Sequence, residues 1–126
     1  MKQYIILISA LIFVIVVNIF QHNYLKKTSE ILIKDIDEIK ISLDKKEYNN
    51  IQSKIQKLDD SWKVKKEIWD VLTEHDDVED FQSHLASLKA FTSTNDYNES
   101  INEIAILRQK IEHILENEKV SFATVF

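Results

Sequence analysis

The chain has no cysteine, no glycine and no proline in 126 residues. Without cysteine there is no disulfide, no thiol nucleophile and no thiolate metal site. Without glycine, phosphate-cradling loops, dinucleotide fingerprints and nucleophile elbows are missing as motifs. Each of them needs positive φ or a close backbone approach. Tight β-hairpins usually want Gly or Asn-Gly, so they are disfavoured too. Average usage would supply roughly 7% Gly and 5% Pro. A chain lacking both breakers and rich in Ile, Leu, Lys and Glu reads as mostly helix. An enzyme is not expected, and neither is a cofactor.

Positive charge is scarce in the second half. Residues 28–66 hold nine Lys/Arg and eight Asp/Glu, whereas residues 67–126 hold four and thirteen. The distal half is therefore acidic. Acidic surfaces repel nucleic acid and anionic headgroups, so nucleic acid is not an expected partner.

The most conspicuous feature present is an uncharged apolar run over residues 4–20. As a helix rising ~1.5 Å per residue it reaches ~25 Å, the short end of what crosses a ~30 Å hydrocarbon core. Lys2 gives it a short positive start, which suits a signal peptide or an anchor. Its exit, Val17-Asn18-Ile19-Phe20-Gln21-His22-Asn23-Tyr24, has no small-residue cleavage pair, which favours retention. Residues 1–27 are thus expected to be a transmembrane anchor and its flank, held in the lipid bilayer through residues 4–20. Tyr4 and Tyr24 stand where interfacial aromatics belong, and Lys2 and Lys26 can snorkel outward. Asn18 could bond across helices or be solvated; Ser9-Ala10 is a weak contact face. The lysine count leans to a cytoplasmic domain, but a short signal-like N-tail commonly stays inside. The second consideration is preferred: a single-pass protein of the cell membrane with its helical domain extracytoplasmic.

Residues 28–126 suffice for one small helical domain. Leu25, Leu32, Ile36, Ile39 and Leu43 form one stripe, with Ser29 filling the missing step. No breaker separates this segment from the anchor, so the two can form one rod. Asp44-Lys45-Lys46-Glu47 is the expected turn. Over residues 47–74, Tyr48, Ile51, Ile55, Leu58, Trp62, Lys65, Trp69 and Leu72 step by 3 and 4 without a slip. Val64, Ile68 and Val71 widen that stripe, which predicts contact with two neighbouring helices there. Asp76 or Asp77 should N-cap a helix over about 77–91 with Val78, Phe81, Leu85, Leu88 and Phe91 inward. Thr92 to Asp96 reads as a loop. Residues 96–118 make the last helix, with Tyr97, Ile101, Ile104, Leu107 or Arg108, Ile111 and Leu115 on its stripe. The fold class is all-α: an N-terminal transmembrane helix followed by an antiparallel bundle of three to four helices.

Trp62, Lys65-Lys66, Trp69, His75-Asp76, Val78, Phe81, Leu85, Leu88-Lys89, Leu107-Arg108, the run Glu112-His113-Ile114 and the apolar C-terminus carry a resemblance. The chain resembles a family of small membrane-anchored helical proteins of unknown function from Gram-positive, often spore-forming, bacteria. The similarity covers roughly residues 3–126. Two departures stand out: Leu115, where the family tends to have proline, and the ending Ala123-Thr124-Val125-Phe126, where it tends to have Lys-Asn-Ile and a hydrophobic residue. The family has no assigned activity. Its members look like accessories of multi-pass membrane proteins, so the resemblance implies such a partner.

Several residues could carry chemistry or contacts. His75, Asp76, Asp77, Glu79, Asp80 and His84 are the densest group of metal-ligand types. Asp80 and His84 stand one turn apart, and His75 could fold back as a third ligand for Zn²⁺. The bland reading is a helix start made acidic by the helix dipole. Glu112, His113 and Glu116 could orient a general base, but surface pairing or docking of His113 on the His75 turn explains them better. Trp62 and Trp69 are core anchors or, alternatively, a partner-facing hot spot. Lys65, between them, could snorkel or pair with Glu103. The apolar tail, with Phe122, Val125 and Phe126, is expected to dock on the bundle or be held for a partner. The function expected is a non-enzymatic interaction or accessory module for another membrane or envelope protein. The alternative is an envelope sensor or metal-binding module using His75, Asp80 and His84. Self-association through the stripes is a further possibility.

Overall fold

A computed structural model describes the backbone of residues 1–125 and the side chains of residues 1–120. The chain forms four helices: α1 (Lys2–Asp44), α2 (Ile51–Leu72), α3 (His75–Ser93) and α4 (Tyr97–Val125). There is no strand among the described residues. α1 packs on α2 and α4, and α3 packs on the same two, which closes an antiparallel four-helix ring.

α1 is one unbroken rod, as the lack of breakers implies. Its two halves meet different surroundings. Through Phe20 its large apolar side chains are exposed all round, apart from half-buried Ile15. This is the one helix among the described residues long and apolar enough to cross a membrane. From Leu25 onward the predicted stripe is buried: Leu25, Ser29, Leu32, Ile36, Ile39 and Leu43 are all within the core.

Two helix ends are stopped without glycine. After α1, Lys46 adopts φ 57, and the Glu47 and Lys46 amides donate to the Ser42 and Leu43 carbonyls at 2.9 and 3.2 Å. After α3, Asn95 adopts φ 61, and the Asp96 and Asn95 amides donate to the Phe91 and Thr92 carbonyls at 2.8 and 3.2 Å. Both are Schellman motifs, with Lys and Asn in the left-handed position usually given to glycine. Asn tolerates that conformation; Lys is strained there. The two turns lie at the same end of the bundle, where Tyr48 stacks on Tyr97 with centroids 3.7 Å apart.

Several boundaries differ from the sequence expectation. α2 begins at Ile51, so Tyr48 belongs to the turn and packs sideways on α4's first residue. α2 ends at Leu72, and α3 begins at His75 rather than 77. The residue before it, Glu74, takes the N-cap position with no side-chain bond; Asp76 and Asp77 lie in the first turn and do not cap. There they complement the helix dipole instead. α4 runs past residue 118 to Val125, consistent with Leu115 replacing a helix-breaking proline.

Candidate functional site

The bundle end beside the exposed half of α1 holds the best-specified side chains. Trp62 and Trp69 are both 0% exposed. That is the core reading of the pair; neither offers surface to a partner. Their rings meet edge to face at 5.8 Å, and Trp62 also packs on Phe81 at 4.3 Å. Each buried indole N–H has an acceptor. Trp69 donates to Thr28 Oγ1 at 3.0 Å, and Trp62 donates to Gln82 Oε1 at 2.6 Å. Thr28 in turn donates to the Tyr24 carbonyl at 2.8 Å, so α2 is pinned to α1 just above the apolar run. The residue pair Thr28–Trp69 sets the antiparallel register.

The sequence stripe left Asp35 and Asp59 outside the core, yet both are buried. Asp35 takes Lys57 at 3.5 Å. Asp59 takes Lys89 of α3 at 2.7 Å and Lys63 at 3.1 Å. Burial pushes the Asp59 carboxyl up, but its bonds to the two lysines outweigh burial and hold it below the usual carboxylate range. A signal was present: Lys57, Lys63 and Lys89 sit where long side chains can reach over the helix edge.

The predicted metal ligands do not converge. His75 is clasped by Asp70 at 2.6 Å and Glu79 at 3.2 Å, on the surface of the α2–α3 connection. The hydrogen bond to Asp70, then the charges of Asp70 and Glu79, raise its pKa above the ordinary imidazole value. Asp80 faces Lys110 at 3.5 Å, and His84 meets Glu103 at 2.7 Å. Asp80 and His84 therefore share a face but turn to different partners on α4. Among the described residues no group of three or more His, Asp or Glu could hold a metal. The alternative built on His75, Asp80 and His84 thus loses its geometry: His75 is held by Asp70 and Glu79, while α4 draws Asp80 to Lys110 and His84 to Glu103.

Two further pairings differ from expectation. Lys65 reaches the Ser61 carbonyl at 3.4 Å and not Glu103, because α2 and α4 stand diagonally across the ring and do not pack on each other. His113 contacts Asn117 at 3.2 Å on its own helix and does not reach the His75 turn. Glu112 accepts from Arg108 Nε at 3.1 Å, and Arg108 also bonds Asp37 of α1, which ties α4 to α1. No nucleophile stands beside Glu112, His113 or Glu116 in these contacts.

The widened stripe on α2 is the clearest correction. Val64, Ile68 and Val71 are 77%, 46% and 82% exposed rather than packed between two helices. Periodicity placed them correctly beside the stripe, but among the described residues no helix covers that side. The side chains of Phe122, Val125 and Phe126 lie outside the described residues.

No curated protein and no solved structure matches the chain. One family model does, over residues 19–125. That span takes in the end of the apolar run and the whole bundle. The chain therefore belongs to the family described as a domain of unknown function (DUF4363).

Proposed function

We propose that the protein is a single-pass membrane-anchored helical module, non-enzymatic, that acts as an accessory of another membrane or envelope protein. The observation that carries this reading is the continuity of α1. Its exposed, uncharged half continues without a break into the buried core of the bundle. Such a rod would hold the bundle at a set height over the bilayer, where it can meet only neighbours in or near that membrane. The domain faces outside the cytoplasm in this reading, because the short N-tail is the easier end to leave behind. The partner is a multi-pass membrane protein, met through the anchor, the acidic distal surface and the tail around Phe122, Val125 and Phe126.

The first test is fractionation of the full-length protein. It should resist alkaline carbonate extraction, and protease added to intact cells stripped of wall should digest the bundle. Free, uncleaved protein in the soluble fraction would end the reading. The second is purification in mild detergent. Phe122→Ser with Phe126→Ser should weaken recovery of the partner and leave thermal unfolding nearly unchanged. Equal loss of both would put the tail in the core.

A further inference from the structure

The uncovered side of α2 belongs to a larger face. Steps of 4 and 3 place Lys57, Val64, Ile68 and Val71 on one line of α2. Lys57 bridges to Asp35 and Glu38, so this line borders α1 along the outer groove between the two helices. On α1, Ile31 lies two turns from Glu38 on the matching line and is 40% exposed. Two turns farther the line passes Tyr24 and then Phe20, whose rings stack at 6.5 Å. An apolar strip thus climbs from the anchor along the groove.

Lipid cannot cover all of it. Counting antiparallel from Thr28–Trp69, Val71 stands level with Lys26 and Val64 level with Ile33. Val64 is therefore some 13 residues beyond Phe20, about 20 Å at ~1.5 Å per residue. Headgroups extend only about 5–7 Å past the hydrocarbon on each side. The upper strip needs a protein surface.

The rims of the strip have opposite charge. Exposed Lys27 and Lys34 flank it on α1; exposed Asp60 and Glu67 flank it on α2. No salt bridge within the chain uses any of these four, among the described residues. In the same register Lys34 stands at a height between Asp60 and Glu67, and Lys27 stands just below Glu67.

We propose that this groove pairs with the same groove of a second copy, about a two-fold axis along the bilayer normal. The pairing rests on the anchored reading above. Two copies inserted the same way in one membrane can be related by a two-fold only about that normal. Such an axis keeps every residue at its height and sets α1 of one copy against α2 of the other. The apolar strips then meet, and Lys27 and Lys34 of each copy face Asp60 and Glu67 of its neighbour. A small apolar strip suffices because confinement in a bilayer has already removed much of the freedom that association costs.

The chain has no cysteine, so Asn49→Cys, at the exposed far turn, takes a donor or acceptor dye cleanly. The full-length protein would be reconstituted in phosphatidylcholine vesicles at low protein density. Flotation is read first, then energy transfer. Transfer above the chance level is expected. Val64→Ser, Ile68→Ser and Val71→Ser together should weaken association about tenfold or more, a step of about 1.4 kcal/mol, with thermal unfolding unchanged. Lys34→Glu should weaken it, and adding Glu67→Lys should restore it. Failure to float would overturn the anchor and the pairing with it. Flotation with transfer at chance level, or transfer insensitive to the triple variant, would overturn the pairing alone. A folded Lys34→Glu, Glu67→Lys protein that stays unpaired would do the same.

Discussion

The two halves of α1 share one continuous helical backbone and the apolar residues Leu and Ile, but only the second interleaves them with charge. Residues 4–20 are mostly Ile, Val, Leu and Phe, without charge; residues 25–43 place Leu or Ile at every third or fourth position except at Ser29. The first half is exposed on every side, and the second buries one stripe and turns charge outward. The comparison teaches what helical pattern does and what it leaves to the surroundings. An apolar helix without periodicity has no preferred face, so the bundle cannot cover it. A striped helix has one face to hide, and the two helices packed against it, α2 and α4, close over that face.

Charge placed in the first half should break the comparison most strongly. Ile8→Lys with Ile12→Lys puts two ammonium groups mid-run, each disfavoured by about 2.5–3.5 kcal/mol in a membrane-centred helix. Membrane recovery should collapse while the bundle's unfolding transition stays in place, as read by fractionation and circular dichroism. Loss of the transition as well would mean that the first half supports the bundle.

The second half should answer to cavities instead. Trp69→Ala removes a fully buried ring and the donor to Thr28, and should cost about 3–5 kcal/mol in denaturant unfolding. Phe13→Ala, at a side chain 69% exposed, should stay within about 0.5 kcal/mol.

Asp59 sharpens the contrast with a charge that the bundle does accept. Asp59→Ala should cost about 1–2 kcal/mol, because the two lysines it leaves behind are largely exposed and recover water. Its carboxyl is held low in the folded protein. The stability it contributes is therefore fully present above the ordinary carboxyl pKa and fades as pH falls through the lowered one. Wild-type unfolding should weaken in acid, and the Asp59→Ala protein should lose part of that acid dependence.

The smallest effect belongs to His75, on the surface. Its raised pKa means that its contribution is complete below the ordinary imidazole value and is lost as pH climbs through the raised one. Proton NMR should find it titrating above ordinary histidine. Asp70→Asn should bring it back most of the way, and Glu79→Gln should move it less.

Much of the fold could be read from particular residues. The stripe Leu25 to Leu43 and the pair Trp62–Trp69 announced the core, because apolar side chains at steps of 3 and 4 line one face of a helix, the face that packing buries. Asp44 to Glu47 announced a turn through its polarity. Less could be read at the candidate site. His75, Asp80 and His84 looked like a ligand set because one-dimensional spacing says which residues share a face. It says nothing of the Lys110 and Glu103 that arrive from α4. Asp35 and Asp59 were missed for the converse reason: a lone acidic residue beside a stripe reads as solvated until a lysine from elsewhere closes over it.

By itself, the sequence determined that the chain is helical, where each helix carries its apolar line, and that residues 4–20 find no cover in such a bundle. Those follow from local backbone preference and from the 3.6-residue turn. Only the tertiary structure decided which lines meet. It buried Trp69 against Thr28, gave Asp59 to Lys89, and left Val64, Ile68 and Val71 open. The physical reason is that periodicity fixes a side chain's direction around its own axis. The company it finds there depends on where the other three helices come to rest.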